Sequence, residues 1–310
     1  MTDFIKQKAM ELGFDACGVA RAEALFDDAA FLKSWLEKGM NADMHYLERN
    51  FEKRIDPTVM VPGTKSVVVV LLNYYTDKQQ PVDVPRIARY AHSVVDYHTV
   101  IKSMLSDLEQ IIVDKYGSEV VNSGYQHRFV DSAPVLERRW AQRAGLGWIG
   151  KHTQLIAPHI GSYCFIGVLF LSVGLEYDEP VKNRCGSCTR CIDACPTNAL
   201  NGVSLHAGKC ISYQTIEKKS EVDAEIIPNL NNCVIGCDIC ADVCPWNKKW
   251  AKPHATKQLE PLPEIYSYSV DNWNSLRVEE FNSLFRNSAI KRAGYQKFKQ
   301  NISLIRKKIH

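Results

Sequence analysis

The residues with the greatest capacity for chemistry in this chain are its cysteines, and their spacing says which chemistry. All of the 11 cysteines except Cys17 and Cys164 fall between Cys185 and Cys244. The run Cys185-x2-Cys188-x2-Cys191-x3-Cys195-Pro196 has the spacing with which bacterial ferredoxins hold [4Fe–4S] clusters. A short loop points three thiolates at one cubane, the fourth cysteine leaves on the next turn toward a second cubane, and Pro196 steers the chain away. A zinc ion is the competing assignment. Zinc sites pair two separated Cys-x2-Cys knuckles, which four close cysteines followed by proline match poorly. A second run, Cys237-x2-Cys240-x3-Cys244-Pro245, is incomplete, with Val234 where its first cysteine is expected. Cys233, one residue off, and Cys210, far upstream, are the candidates for the missing ligand, and spacing slightly favours Cys233. By the crossing rule, one cluster takes Cys185, Cys188, Cys191 and Cys244. The other takes Cys195, Cys237, Cys240 and one of the two candidates. A chain with two such clusters is an electron-transfer protein or a redox enzyme. Cys17 and Cys164 lie in apolar, strand-like contexts and read as small buried hydrophobes.

Outside the cysteines, Asp131 is the foremost candidate. It stands at a strand-to-helix junction, where a side chain can point into a cleft; the competing reading makes it the N-cap of a helix over 134–144. Arg138 lies seven residues on, two helical turns along the same face, while Arg139 reads as a solvated charge. Asp96 and His98 in the tripeptide DYH are secondary site candidates or helix-start residues, with Tyr97 between them as core.

Certain elements must position these groups. A helix over 4–12 and a strand near Phe14–Val19 open the chain. Ser66–Leu72 (SVVVVLL) is a continuous β-branched run, the pattern of a strand buried on both faces, with a Pro62-Gly63 turn before it. Val100, Ile101, Met104, Leu105, Leu108, Ile111 and Ile112 recur at helical spacing, which predicts an amphipathic helix over 98–116 ending before Gly117. A strand ends at Phe129-Val130, and Asp131-Ser132-Ala133-Pro134 opens a helix that stops at Gly145. Residues 163–173 form a second apolar, strand-like run. This alternation over 1–180 predicts an α/β domain within a mixed α+β or α/β fold. After Glu179-Pro180 the chain becomes dense in cysteine (181–250), and a segment with three prolines and a polar helical tail follows (251–310).

The chain's 310 residues exceed what a bare ferredoxin needs, and 45% apolar with 24% charged residues is ordinary for a globular protein. A net charge of +3 excludes a polycation overall, yet Arg286–His310 holds eight Lys or Arg residues and no carboxylate. That basic segment, interleaved with Tyr295 and Phe298, suits phosphate contact; otherwise it is a surface helix whose aromatics dock on the core. No apolar stretch is long enough for a transmembrane helix, so no membrane association is expected. The N-terminus lacks the features of a secretory signal, and the expected location is cytoplasmic.

Nine segments together resemble the epoxyqueuosine reductase family. They are MHYLERNFEKRIDP (44–57), PGTKSVVV (62–69), DYH (96–98), VDSAPVLERRWAQRAGLGWIGKHT (130–153), GSYCFIGVLFL (161–171), CGSCTRCIDACPTNAL (185–200), KCISYQTIE (209–217), GCDICADVCPWN (236–247) and FRNSAIKRAGYQKFKQN (285–301). The cysteine motif is shared with many ferredoxin-like proteins; the 130–153 block is far more discriminating. The resemblance implies a cobalamin-binding catalytic domain (1–180), a ferredoxin-like module with two [4Fe–4S] clusters (181–250) and a C-terminal extension with a basic tail (251–310). It corresponds to a short form without the helical-repeat domain of many members. It favours Cys210 as the eighth cluster ligand and makes Asp131 the proton donor to an epoxide oxygen, with Arg138, Asp96 and His98 nearby. For cobalamin it points to Arg54, Asp131, Lys151, Gln154, Leu155, Ile156, Ile166, Ser212 and Asp238; the sequence has no D-x-H-x-x-G motif, so no protein histidine is expected on cobalt. For tRNA carrying epoxyqueuosine it points to Lys219, Lys291 and Arg292. An external low-potential donor of flavodoxin or ferredoxin type is expected to supply electrons. The rival readings are a reductive dehalogenase-like corrinoid enzyme, a ferredoxin-like carrier with no substrate of its own, and an RNA-binding protein with structural clusters. The 130–171 block argues against a pure carrier, which needs no second cofactor site.

Overall fold

The apolar runs become the two central strands of a four-stranded antiparallel sheet in a computed structural model that describes residues 1–306. The strands, in chain order, are β1 (Ala16–Arg21), β2 (Ser66–Asn73), β3 (Arg86–Ile87), β4 (Arg128–Phe129), β5 (Trp148–Ile149), β6 (Leu155–Ile156), β7 (Cys164–Leu171) and β8 (Cys233–Ile235). The main sheet has the order β1-β2-β7-β4 and every pairing in it is antiparallel. β2 is buried at every step, and apolar from Val67 to Leu72, because both faces of the sheet are covered. Val68, Val70 and Leu72 pack with the helices Thr2–Glu11 and Tyr97–Tyr116. Val67, Val69 and Leu71 pack with Trp140 and Ala141 of the helix Glu137–Arg143. Each valine buried this way contributes roughly 1.5–3 kcal/mol.

Two glycines set the distance between helices and sheet. A Cβ at Gly167 would lie 2.8 Å from Ile101 Cγ2, so this glycine lets the helix Tyr97–Tyr116 settle on β7. A Cβ at Gly18 would lie 2.1 Å from the Ala144 carbonyl oxygen, where the helix Glu137–Arg143 ends against β1. The long helix begins where expected: Asp96 is its N-cap and accepts from the His98 backbone N–H at 3.0 Å, and Gly117 (φ +92°) closes it.

The helix after β4 starts later than expected. Its first residue is Glu137, and residues 131–136 form an irregular loop. Pro134 disfavours helical backbone at the residue before it. Tight backbone bonds from Ser132 N to Val130 O (2.6 Å) and from Val135 N to Ala133 O (2.8 Å) shape the loop instead. Asp131 is therefore not the helix N-cap, a place taken by Leu136 without a side-chain bond. Asp131 and Arg138 therefore do not share a helix face, because Asp131 lies outside the helix.

The cysteine-rich stretch holds only short helices, including Arg190–Asp193, Ile239–Asp242 and Pro245–Trp250. The parallel pair β3 and β8 lies beside a core of C-terminal aromatics that includes Trp273, Phe281, Phe285 and Phe298. Among the described residues, no helix is long and apolar enough to cross a membrane.

Candidate active site

The cysteines gather into two sets. Cys185, Cys188, Cys191 and Cys244 line one cavity of about 210 Å³ with Trp246, Arg184, Lys151 and His152. Burial raises the Cys191 thiol, and the charges of Cys244, Cys185 and Cys188 raise it further. In the second set, burial raises Cys210 and Cys240; Cys237 and Cys195 add to the effect on Cys210, and Cys237, Cys210 and Cys195 to that on Cys240. Each set thus draws one cysteine from the other motif. Cys233 is buried on β8 with Ile211 and Leu230 and packs against Cys237. Four thiols around a space fit a cubane better than one ion; among the described residues no three metal-binding side chains converge on a single-ion site. Burial pushes Cys17 and Cys164 up to about 12, as expected of unreactive core thiols.

A second cavity, of about 970 Å³, opens beside the sheet. Of the residues singled out from sequence, Arg54, Asp131, Arg138, Lys219 and Arg292 line it. Asp131 has left-handed backbone (φ +51°), as do the cavity residues Asn50 (+57°) and Thr153 (+65°). For a residue other than glycine this conformation costs about 1–3 kcal/mol and gathers at functional sites. The Tyr97 hydroxyl donates to Asp131 Oδ2. Tyr97 stacks on Phe165 at 3.9 Å, and burial, with the Asp131 charge, pushes its hydroxyl far above the ordinary value, so it stays a donor. Tyr97 is thus a site residue as well as core.

His98 Nε2 lies 3.6 Å from Asp131 Oδ2 and 2.8 Å from Arg292 Nη1, and Nδ1 lies 2.7 Å from Asp96 Oδ1. A guanidinium only donates, so Nε2 accepts from Arg292 and Nδ1 carries the proton given to Asp96. Asp96 and His98 therefore hold Arg292 at the cavity wall.

Two further polar groups were not singled out from sequence as a pair. Arg54 Nε and Glu137 Oε1 are buried without a hydrogen-bond partner, and both residues line the cavity. Burial, with the Asp131 charge adding, pushes the Glu137 carboxyl up to about 8. The signal for Glu137 was its place in DSAPVLER, which drew attention only to Asp131 and Arg138. Arg138 donates from Nη1 to the Thr153 carbonyl, tying the helix start to the 150s loop. Arg139, read as a solvated charge, pairs instead with Asp28 at 2.6 Å.

The remaining expected cobalamin contacts lie apart from this wall. Lys151 donates to the Gly186 carbonyl at 2.8 Å and lines the cluster pocket. Gln154 is exposed next to His152, and Leu155 and Ile156 are core residues of β6. Ile166 packs on the sheet core, and Ser212 follows Cys210 closely enough for its backbone N–H to reach that sulfur. Asp238 is taken by Arg89, accepting from its backbone N–H at 2.8 Å and facing its guanidinium at 3.4 Å. Its neighbour Asp242 accepts from Arg89 Nη1 at 2.6 Å, so this arginine ties the second cysteine motif to the sheet domain.

The basic tail divides. Lys291 and Arg292 are exposed. Lys297 is buried and donates to the Ser220 carbonyl at 2.9 Å; burial, with Lys218 and Lys219 adding, lowers it to about 8. Phe298 is fully buried and Tyr295 donates to the Leu276 carbonyl, so these aromatics support the core instead of offering faces to RNA. Lys307 and Lys308 lie outside the described residues.

Comparison with known proteins agrees with this geometry. Residues 184–247 match the family described as "4Fe-4S double cluster binding domain", and residues 54–132 match "Epoxyqueuosine reductase QueG, DUF1730". The epoxyqueuosine reductase of Cellulophaga algicola is 42% identical over 98% of both chains. That of Pseudomonas aeruginosa is 37% identical over 97% of this chain and 83% of its own. A crystal structure of an epoxyqueuosine reductase with an epoxyqueuosine-modified tRNA-Tyr stem loop superposes with a TM-score of 0.86 at 29% identity, covering 98% of this chain and 80% of that one. One from Bacillus subtilis, with an aspartate-bearing catalytic loop swung out of the active site, gives 0.84 at 28% identity and the same coverage. With two cysteine sets inside a matching double-cluster domain and relatives aligned from end to end, the chain belongs to the epoxyqueuosine reductase family of oxidoreductases.

Proposed function

We propose that this protein reduces epoxyqueuosine to queuosine in tRNA, with Asp131 as the proton donor. The observation that carries the reading is Asp131 itself, held in left-handed backbone on the wall of the large cavity with Tyr97 donating to Oδ2. Among the described residues, the contacts of Asp131 with Tyr97 and His98 fall on Oδ2, which leaves Oδ1 to present a proton to a substrate oxygen. Removing the epoxide oxygen as water takes two electrons and two protons.

The cavity suits cobalamin. A ligand rich in amide groups satisfies an unpartnered donor at Arg54 Nε and an unpartnered acceptor at Glu137 Oε1. Arg54, Glu137 and Arg138 would hold it from the wall they share with Asp131. Cobalamin supplies the low-valent cobalt chemistry that opens the epoxide; the protein positions, excludes water and protonates. Cys185, Cys188, Cys191 and Cys244 are assigned to one cluster and Cys195, Cys210, Cys237 and Cys240 to the other. Lys219 and Arg292 on the cavity wall, with Lys291 beside them, are placed to meet the phosphates of an anticodon loop whose modified base is splayed inward.

Anaerobic reconstitution with iron, sulfide and cobalamin, then desalting and metal counting, tests the reading. About eight iron atoms and one cobalt per chain are expected. Eight irons without cobalt would leave an electron carrier as the better account.

A further inference from the structure

The two cysteine sets differ in what surrounds them. The second set lies toward the large cavity, because Cys210 follows the cavity residue Ala207 and precedes Ile216 and Glu217. The first set lies beneath an exposed loop. Lys182, Asn183, Arg184, Gly186, Ser187 and Arg190 are all exposed around it. The 149–153 turn stands between the two spaces: Ile149 and Thr153 line the large cavity, and Lys151 and His152 line the cluster pocket.

The two segments that flank the first set carry charge of one sign. Segments 181–192 and 245–252 contain Lys182, Arg184, Arg190, Lys248, Lys249 and Lys252 and no Asp or Glu. Arg184 lies over the Trp148 ring at 6.0 Å and Lys249 over Trp246 at 5.9 Å, and Trp246 lines the pocket with the four cysteines. Lys151 reaches the same loop through the Gly186 carbonyl. Asp193, at the far end of the short helix, accepts from Thr189, and Asp242 faces inward on Arg89 and Tyr163. The fold spends none of the Lys182, Arg190 or Lys248 charges on an ion pair among the described residues.

We propose that this rim (Lys151, Lys182, Arg184, Arg190, Lys248 and Lys249) is the docking surface for an acidic one-electron carrier protein, and that electrons enter at the cluster of Cys185, Cys188, Cys191 and Cys244. The inference rests on the reading above that the clusters feed the cavity. Opposite charge steers the carrier to this cluster, and the other cluster passes the electron on to the cavity. When the carrier is a flavoprotein, each encounter moves one electron. Its flavin hydroquinone anion is oxidised to the neutral semiquinone, keeping its proton, and one oxidised cluster is reduced.

The test is anaerobic stopped-flow reduction of the reconstituted protein by a reduced flavodoxin, followed by the bleaching of cluster absorbance, with dithionite as a small reductant. The triple variant Lys182→Glu, Arg190→Glu, Lys248→Glu should keep about eight iron atoms and full reducibility by dithionite, while its second-order rate with flavodoxin falls by about tenfold or more. The wild-type rate with flavodoxin should also fall as salt rises, a measurement that needs no variant. A salt-independent wild-type rate would overturn the proposal, as would an unchanged rate in the variant. A variant that loses affinity for an RNA stem loop but keeps its flavodoxin rate would make the rim an RNA surface and overturn it equally. Uptake of fewer than two electrons per wild-type chain from dithionite would instead overturn the two-cluster reading beneath it.

Discussion

The proposed proton donor, Asp131, needs one oxygen held so that the other is offered to the substrate. At Asp131 the holding is done by Tyr97, whose hydroxyl donates to Oδ2. Asn at this position keeps an oxygen for Tyr97 but has no acidic proton. Asp131→Asn should therefore lower turnover by about 10²–10⁴-fold while iron and cobalt content hold; loss of metal along with turnover would make Asp131 a binding residue instead. Glu137 gives a pH signature. The folded protein keeps this carboxyl protonated up to about pH 8, whereas the unfolded chain releases the proton near 4.5. Between those values the unfolded state binds fewer protons, so stability falls as pH rises. Thermal midpoints measured across this range should drop more for the wild type than for Glu137→Gln; parallel curves would refute the assignment. The eighth ligand is separable in the same way. Cys210→Ala should lose one cluster, leaving about four irons, and Cys233→Ala should keep about eight. The reverse result would return the ligand to the position that motif spacing slightly favours.

At the scale of elements, the strands and the long helix were legible because burial leaves a periodic trace. SVVVVLL became β2 with each face packed, and the helix over 98–116 formed at Tyr97–Tyr116. The 131–136 loop was not legible, since Pro134 within a first turn reads equally as a helix start and as a breaker. That misplacement hid Glu137, which is the first helical residue. Tyr97 was half legible: its burial follows from helix periodicity, but its bond to Asp131 joins residues 34 apart, which no local pattern carries. Of the two readings of the tail aromatics, docking on the core holds for Phe298, which inserts into a core assembled from distant segments. The element that carries Glu137 and Arg138 depends on Gly18, beneath the Ala144 carbonyl. Gly18→Ala should destabilise the fold by about 1–3 kcal/mol, seen as a lower denaturation midpoint. An unchanged midpoint would mean that the helix does not need this close approach.

Over the whole molecule, the chain sets the proposed redox entrance, two clusters and a large cavity in sequence, and each stage uses contacts between segments far apart. Arg89 holds the second cysteine motif through Asp238 and Asp242, and β3 pairs with β8. The cluster chemistry was legible from spacing alone, while the cavity, built from eight segments, needed the fold. The most direct test is to incubate the anaerobically reconstituted protein with reductant and tRNA bearing epoxyqueuosine, then digest the tRNA and weigh the modified nucleoside. The account predicts loss of one oxygen atom, giving queuosine, only when cobalamin and both clusters are loaded. An unchanged nucleoside from fully loaded protein, or the same conversion without cobalamin, would contradict it.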